Sequence, residues 1–358
     1  MKKRLAVLLV LLAAAGATAA WLSMRLRQPY RGYTAPEQFV DIPPGVGTRA
    51  IGERLVSAGV IRDRVTYRIA LLMSHQATRL KAGEYRFTEP MTPSEVISKL
   101  SRGDVYVVSV TFPEGLTIAE MAKHFEAKGL GPSEAFAEAA GNPSLVRDLD
   151  PAARDLEGYL FPETYSLPRH ADASQLVRLM VERFEQVFTD ELREAARVRQ
   201  MSPHQVVTLA SIVEKETGKS EERPLIAAVY ENRLRIGMGL QCDPTVIYAL
   251  QRAGAYTGNL RREDLSFDSP YNTYRYAGLP PGPIASPGRA SIEAVVRPAD
   301  ADYLYFVSRN DGSHAFAATL EQHNRNVRTY QVDYFRDQRA RTKAEGQEGR
   351  RAGGAGRD

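Results

Sequence analysis

Cysteine is almost absent from this 358-residue chain. Cys242 stands alone, which rules out an intramolecular disulfide and any site built from several thiolates. The six histidines are scattered, with no His-Glu-x-x-His and no other pair at helical ligand spacing, so the pattern of a zinc enzyme is missing too. Acid is absent from residues 1–36, where Lys2, Lys3, Arg4, Arg25, Arg27 and Arg31 leave a charge of +6. The segment from Arg336 onward has seven basic and four acidic residues and adds +3. With the whole chain at +4, the middle carries −5. A nucleic-acid enzyme is expected to keep its basic surplus in the folded part, so this distribution speaks against that class. No metal, no other cofactor and no nucleic-acid partner is expected.

Charge is also missing from Leu5 to Met24, twenty positions that match the thickness of a bilayer when helical. A cleaved signal peptide is the rival reading, with Ala17-Thr18-Ala19 as a cleavage motif. Signal cores are usually shorter, which favours an uncleaved anchor. Basic residues flank both ends, so charge asymmetry gives no vote on orientation. A short N-terminus still implies that the bulk of the chain is exported. The expectation is a stub and transmembrane helix at 1–27, a linker at 28–37, and a single-pass inner-membrane protein with its working parts on the periplasmic side.

A repeat follows at an offset of seventy. Val40-Asp-Ile-Pro-Pro-Gly45 leads to Ile51, Leu55 and Gly59-Val60; Val110-Thr-Phe-Pro-Glu-Gly115 leads to Met121, Phe125 and Gly129-Leu130. Each copy reads as a strand, a Pro-Gly turn and an amphipathic helix ended by glycine. Between them, Thr66–Met73 reads as a helix, Gly83–Phe87 as a strand, and Thr92-Pro-Ser-Glu95 as the cap of a helix through Leu100. Such strand-helix-helix-strand units resemble LysM glycan-binding modules, and 38–150 is assigned to this LysM-like region. A recurrent packing unit with no binding role fits the repeat equally well.

From Arg154 the character changes, and 151–340 is read as a mixed α+β catalytic domain. Helices are expected at Ala173–Glu194, Pro203–Thr217 and Arg223–Ile236, a hairpin at 302–317, and a last helix from Leu320 to Arg336. The Gly/Arg-rich tail at 341–358 reads as disordered.

The chemistry points to Ser202-Pro-His-Gln-Val-Val-Thr-Leu-Ala-Ser-Ile-Val-Glu-Lys-Glu-Thr-Gly218. Ser202 caps this helix, Pro203 opens it, Gln205 completes a capping box and Gly218 ends it. At ~100° per residue, Val206, Leu209, Ile212 and Val213 share a face, with Glu216 within roughly 30° of its centre. Glu214 falls to the side, better placed for solvent. A desolvated carboxyl gains pKa and can hold the proton a general acid needs. The alternative is that Glu216 leaves the core in the final turn and pairs with an arginine.

Ile212-Val-Glu-Lys-Glu-Thr217 resembles the Glu-Ser signature that ends the catalytic helix of lysozyme-like lytic transglycosylases, with Glu216-Thr217 in its place. The wider set is similar to the YceG-like family of endolytic murein transglycosylases, over about residues 38 to 335. It includes Asn232-Arg-Leu-Arg-Ile-Gly-Met238, Leu240-Gln-Cys-Asp-Pro-Thr-Val-Ile-Tyr248, Tyr271-Asn-Thr-Tyr274, Gly278-Leu-Pro-Pro-Gly-Pro-Ile284, Tyr303-Leu-Tyr-Phe-Val307 and His323-Asn324. Cys242 departs from the small polar residue, such as threonine, expected there, which leaves nothing catalytic in doubt.

The resemblance implies cleavage between N-acetylmuramic acid and N-acetylglucosamine. Glu216 protonates the glycosidic oxygen, and the muramyl C6 hydroxyl closes onto C1 to leave a 1,6-anhydro end. It also implies action within nascent strands, near penicillin-binding proteins and other wall-synthesis proteins at the inner membrane. Gln241, Asp243 and Thr245, with Tyr271, Asn272 and Tyr274, combine aromatic faces with amide and hydroxyl groups and suit a glycan groove. Asn272 is the first choice for a supporting residue. Asp243-Pro-Thr245 also reads as a helix cap, and 280–284 as a rigid wall or a plain turn. Two other functions stay open. A lysozyme-type hydrolase would need a second carboxylate facing Glu216, for which Asp243, Glu163 and Glu157 are candidates. A wall-binding assembly protein would use the LysM-like region alone.

Overall fold

A computed structural model describes residues 2–169, 171–336 and 338, so the tail read at 341–358 lies outside the described residues. The fold is mixed α+β and divides into two compact units. One comprises Met1–Val110 with Ser166–Ala171, the other Thr111–Tyr165 with Asp172–Asp358. Packing thus divides the chain after Val110, whereas the sequence reading draws its boundary at 150.

The first unit begins with α1 (Lys2–Arg27), which is long and apolar enough to cross a membrane. Strand β1 (Gln38–Ile42), helices α2 (Thr48–Ser57) and α3 (Arg64–Ser74) and strand β2 (Gly83–Phe87) then give the expected strand-helix-helix-strand order. β1 and β2 pair antiparallel, Gln38 opposite Phe87 and Ile42 opposite Gly83. Alternation sends Val40 and Ile42 inward and Asp41 outward, so one face of the ribbon meets Ile51, Leu55, Tyr67 and Leu71 of the two helices. Helix α4 (Pro93–Arg102) closes this core through Val96, Ile97 and Leu100, and its Thr92–Glu95 capping box is present.

The second copy of the repeat opens with β3 (Val108–Thr111), then α5 (Ile118–Ala127) and α6 (Ser133–Ala140), before β4 (Thr164–Leu167). The glycines reveal a structural repeat. Gly45 and Gly115 have φ of 77° and 76°, and Gly59 and Gly129 have 69° and 70°. These left-handed positions end each turn and each helix, where a side chain would be strained. The surroundings differ. Nothing lies within 4 Å of a Cβ built on Gly45, whereas Gly115 donates to the Ser286 carbonyl at 2.8 Å and accepts from Lys215 Nζ at 3.0 Å.

The regular elements of the rest of the second unit are helices until its end, with a loop-rich stretch between Arg252 and Arg289. Helices α7 (Ala173–Val187) and α8 (Asp190–Val198) replace the single helix expected over 173–194. The chain breaks because Phe188 turns fully into the core and Thr189 caps a new helix, accepting from the Leu192 N–H. Helices α9 (Pro203–Glu216), α10 (Arg223–Arg235), α11 (Asp243–Arg252) and α12 (Arg289–Val296) follow. The hairpin of β5 (Tyr305–Ser308) and β6 (His314–Ala317) forms as expected, and α13 (Leu320–Val327) runs into a π-helical turn at Arg328–Asp333.

Helix α9 is central, packed by α8, α10, α11 and α12. Val206, Val207, Leu209, Ala210, Ile212 and Val213 are all at most 2% exposed, and Thr208 and Ser211 are buried with them. A helix buried on every side has no solvent face. The helical wheel therefore could not separate an inward from an outward carboxylate in its last turn.

Candidate active site

Two carboxylates leave that last turn in different directions. Glu216 is partly exposed, and its Oε1 accepts the Tyr230 hydroxyl of α10 at 2.5 Å. The Cys242 thiol, just ahead of α11, lies beside the same carboxyl group and acts to lower its pKa. Burial raises the Glu216 pKa. The Tyr230 hydrogen bond, the Cys242 thiol and nearby His314 oppose that rise, Asp243 adds to it, and the net shift is upward. Such a carboxyl keeps its proton to a higher pH than an exposed glutamate. The departure at Cys242, read from the sequence as leaving nothing catalytic in doubt, thus lies against the carboxyl itself.

Behind Glu216, Tyr230 stands edge-on to Phe306, and Phe306 edge-on to His314, with centroids 5.9 and 5.4 Å apart. His314 is clamped to Glu222: its N–H donates to Oε1 at 2.8 Å, and Nδ1 lies 2.7 Å from Oε2. Thr217 donates to the same Oε2 at 3.3 Å. Burial alone would raise the Glu222 pKa, but the contacts with His314 outweigh it and lower the value. The residue after the candidate acid is thereby tied to β6.

Glu214 does not face solvent as the wheel suggested; its side chain is 6% exposed. Oε1 accepts from Arg223 at 3.0 Å, and Oε2 accepts from the Gly288 N–H at 3.0 Å and the Ser291 hydroxyl at 2.7 Å. Arg223 also reaches Glu114, whose pKa is raised by burial and by the negative charge of Glu214. Glu214 thus pairs with a cation from the neighbouring helix, Arg223 of α10, as a buried brace.

The segment read as a cleft wall, 280–284, belongs to a strap along α9. His204 Nε2 lies 3.0 Å from the Pro281 carbonyl, and the Ile284 N–H donates to Ser211 Oγ at 3.0 Å. Ser286 exchanges backbone hydrogen bonds with Gly115 and Leu116, and Gly288 reaches Glu214.

The residues proposed as a glycan groove separate into three groups. Asp243, the exposed first residue of α11, accepts the Tyr274 hydroxyl at 2.6 Å, and both act electrostatically on Glu216 or feel its charge. Exposed Gln241 precedes Cys242 at φ 50°. Asp243 starts the helix without capping it; Cys242 holds the cap position and makes no side-chain cap bond. Thr245 and Asn272 are fully buried. Thr245 donates to the Cys242 carbonyl at 2.7 Å and meets Thr273 at 2.9 Å. Asn272 donates to the Leu265 and Phe267 carbonyls and accepts from the Tyr274 N–H, so its polar atoms are occupied within its own loop. Tyr271 lies apart, against Tyr248 and Arg252, in a small polar pocket of 60 Å³ that Glu157 and His204 also line. Glu157 accepts there from the Ile118 N–H and Tyr248, and burial pushes its pKa up to about 8. Glu163 pairs with Arg183.

Sequence reasoning did not single out Tyr230, His314 or Glu222. Tyr230 left a trace: it sits on the buried stripe of α10 with Ile226, Ala227 and Arg233, where a phenol needs a partner. The pairing of Glu222 with His314 across 92 residues left none.

The sequence pattern of the YceG-like family matches residues 40–329. This chain belongs to that family. A curated relative from Bacillus subtilis (strain 168), named endolytic murein transglycosylase, is 31% identical over 308 residues, 81% of this chain and 84% of that one. A protein of the same name from Streptococcus pneumoniae (strain D39) is 31% identical over 318 residues, 80% of this chain and 57% of its own length. A crystal structure of a YceG-like protein from Listeria monocytogenes superposes with a TM-score of 0.56 at 31% identity, over 82% of this chain and 99% of that one.

Proposed function

We propose that this chain is a membrane-anchored endolytic murein transglycosylase that uses Glu216 as acid and then as base. The observation that carries the reading is one carboxyl group, raised in pKa by burial and held by Tyr230, on a partly exposed residue at the end of a rigid helix. The names of its YceG-like relatives supply the substrate class.

Protonated Glu216 gives its proton to the oxygen between N-acetylmuramic acid and N-acetylglucosamine, and the C1–O bond breaks. The Glu216 carboxylate left behind is stabilised by the hydroxyl of Tyr230 and the thiol of Cys242. The muramyl C6 hydroxyl then bonds to C1 and returns its proton to Glu216, which restores the acid and leaves a 1,6-anhydro end. Because the nucleophile belongs to the substrate, no second protein carboxylate and no activated water is needed. Asp243, Tyr274 and Gln241 offer hydrogen-bonding groups to the glycan beside Glu216, while Thr245 and Asn272 act through them. The strand-helix-helix-strand unit at 38–87 acts as a LysM-like grip on the strand. Helix α1 holds the enzyme in the inner membrane with its working units outside, beside penicillin-binding proteins and other synthesis proteins.

Asp243 favours one rival. It is an exposed carboxylate within electrostatic reach of Glu216, as a hydrolase acting through water would require. Digestion of purified sacculi in ¹⁸O-labelled water separates the two. The expected muropeptides end in 1,6-anhydro-muramic acid and carry no label; reducing ends that contain ¹⁸O would establish hydrolysis instead.

A further inference from the structure

Helix α3 is apolar on two faces. Thr66, Tyr67, Ala70 and Leu71 are buried on one side. On the other, Val65, Leu72 and Met73 are 60%, 72% and 67% exposed, with Ile69 partly exposed between them. Outside α1, these three are the most exposed large hydrophobic side chains of the first unit among the described residues. Arg64 and Arg68 flank the stripe, and with Arg49 of α2 they line a groove of 630 Å³ whose apolar lining includes Val65, Leu71 and Leu72. Glu53 faces both Arg49 and Arg64, at 3.4 and 3.5 Å, so one acid answers two of the three cations.

The position of α3 identifies the partner. Trp21 of α1 stacks with Arg25, the aromatic-plus-cation pairing typical of the edge of a membrane span. Arg25 pairs at 3.3 Å with Asp63, the residue that caps α3. Arg62 stacks on Tyr30, and Leu26 packs on the core of the unit. From Trp21 to Arg25 the helix rises only about 6 Å. The start of α3 is therefore fixed within about one turn of the end of the span.

We infer that α3 is a membrane-surface helix. Val65, Leu72 and Met73 enter the headgroup boundary of the bilayer that α1 crosses, and Arg49, Arg64 and Arg68 bind the phosphates of its anionic phospholipids. The inference rests on reading α1 as an anchor. A glycan strand suits this groove less well, because its one aromatic ring, Tyr67, is 2% exposed and presents no face to a sugar.

The test uses the full chain in nanodiscs of phosphatidylglycerol or of phosphatidylcholine. Leu72→Cys carries an environment-sensitive fluorophore, and Val198→Cys, 75% exposed in the second unit, serves as control. Cys242 is buried, and the unsubstituted chain reports its background. In phosphatidylglycerol discs the label at 72 is expected to be shielded from iodide and quenched by nitroxide lipids, while the label at 198 stays open to iodide. Arg64→Glu and Arg68→Glu are each expected to reduce that shielding about fivefold. A chain that washes off the discs at alkaline pH overturns the anchor and this inference together. A chain that stays while position 72 remains open to iodide, or becomes shielded only when glycan strands are added, overturns this inference alone.

Discussion

The last turn of α9 carries two glutamates two residues apart, in surroundings that make them opposites. Around Glu214, both oxygens are filled by Arg223, Gly288 and Ser291, and the side chain ties three segments together. Around Glu216, the donor is a phenol with a thiol close by, no cation among the described residues pairs with the carboxyl, and the residue is partly exposed. A filled and charge-matched carboxylate stabilises structure; one that is desolvated, unmatched and accessible holds a mobile proton. The lesson is that the partners decide the role.

Breaking the open side should have the largest effect. Glu216→Gln keeps the shape and removes the proton, so release of muropeptides should fall about 10³-fold while the melting temperature holds. Breaking the filled side should strike stability first. Glu214→Ala leaves Arg223 buried without its nearest counter-charge and orphans two donors, which costs about 3–5 kcal/mol. The melting temperature should drop by roughly 10 °C, with the folded fraction keeping activity within about tenfold. Equal loss of activity without loss of stability would erase the distinction between the two residues.

Tyr230→Phe sharpens the comparison. The phenol stabilises ionised Glu216, so its removal should raise the pKa of that carboxyl further. The alkaline limb of the pH–rate profile should then move to higher pH, with about a tenfold lower rate from lost positioning. A tyrosine that only fills space would lower the rate and leave the limb in place.

The smallest effect concerns a carboxyl remote from the reaction. Glu157 holds its proton more tightly folded than unfolded, so its burial removes stability as pH climbs from 4.5 to about 8. Glu157→Gln should flatten the fall in melting temperature between about pH 5 and pH 8, and leave cleavage near neutrality unchanged.

Local chemistry was readable in advance. The capping box of Ser202 and Gln205, Pro203, the glycine turns at 45 and 115 and the hairpin at 305–317 depend on neighbours in sequence, and each formed as expected. What the sequence hid was long-range. A wheel assumes one wet face, and the middle of α9 has none, so Glu214 was assigned to solvent. Asn272 and Thr245 look like sugar-binding groups on composition, yet each hydrogen-bonds within the protein that supports Asp243 and Tyr274. The break after Val187 needed the knowledge that Phe188 turns inward. His314 could be joined to Glu222 only by folding.

The strap along α9 also sets a clock on synthesis. Gly288 and Ser291, the donors to Glu214, lie 74 and 77 residues downstream of it, and His314 lies 92 beyond Glu222. A polypeptide leaves the ribosome N-terminus first, at roughly 5–20 residues per second. Once α9 has emerged, the groups that brace its last turn are still some 5–20 s from existing, by the same rate. A chain cut short before β6 would carry α9 and the candidate acid without the frame that holds them. On the proposed reading, the ability to cut is thus withheld from the nascent polypeptide until β6 has been made.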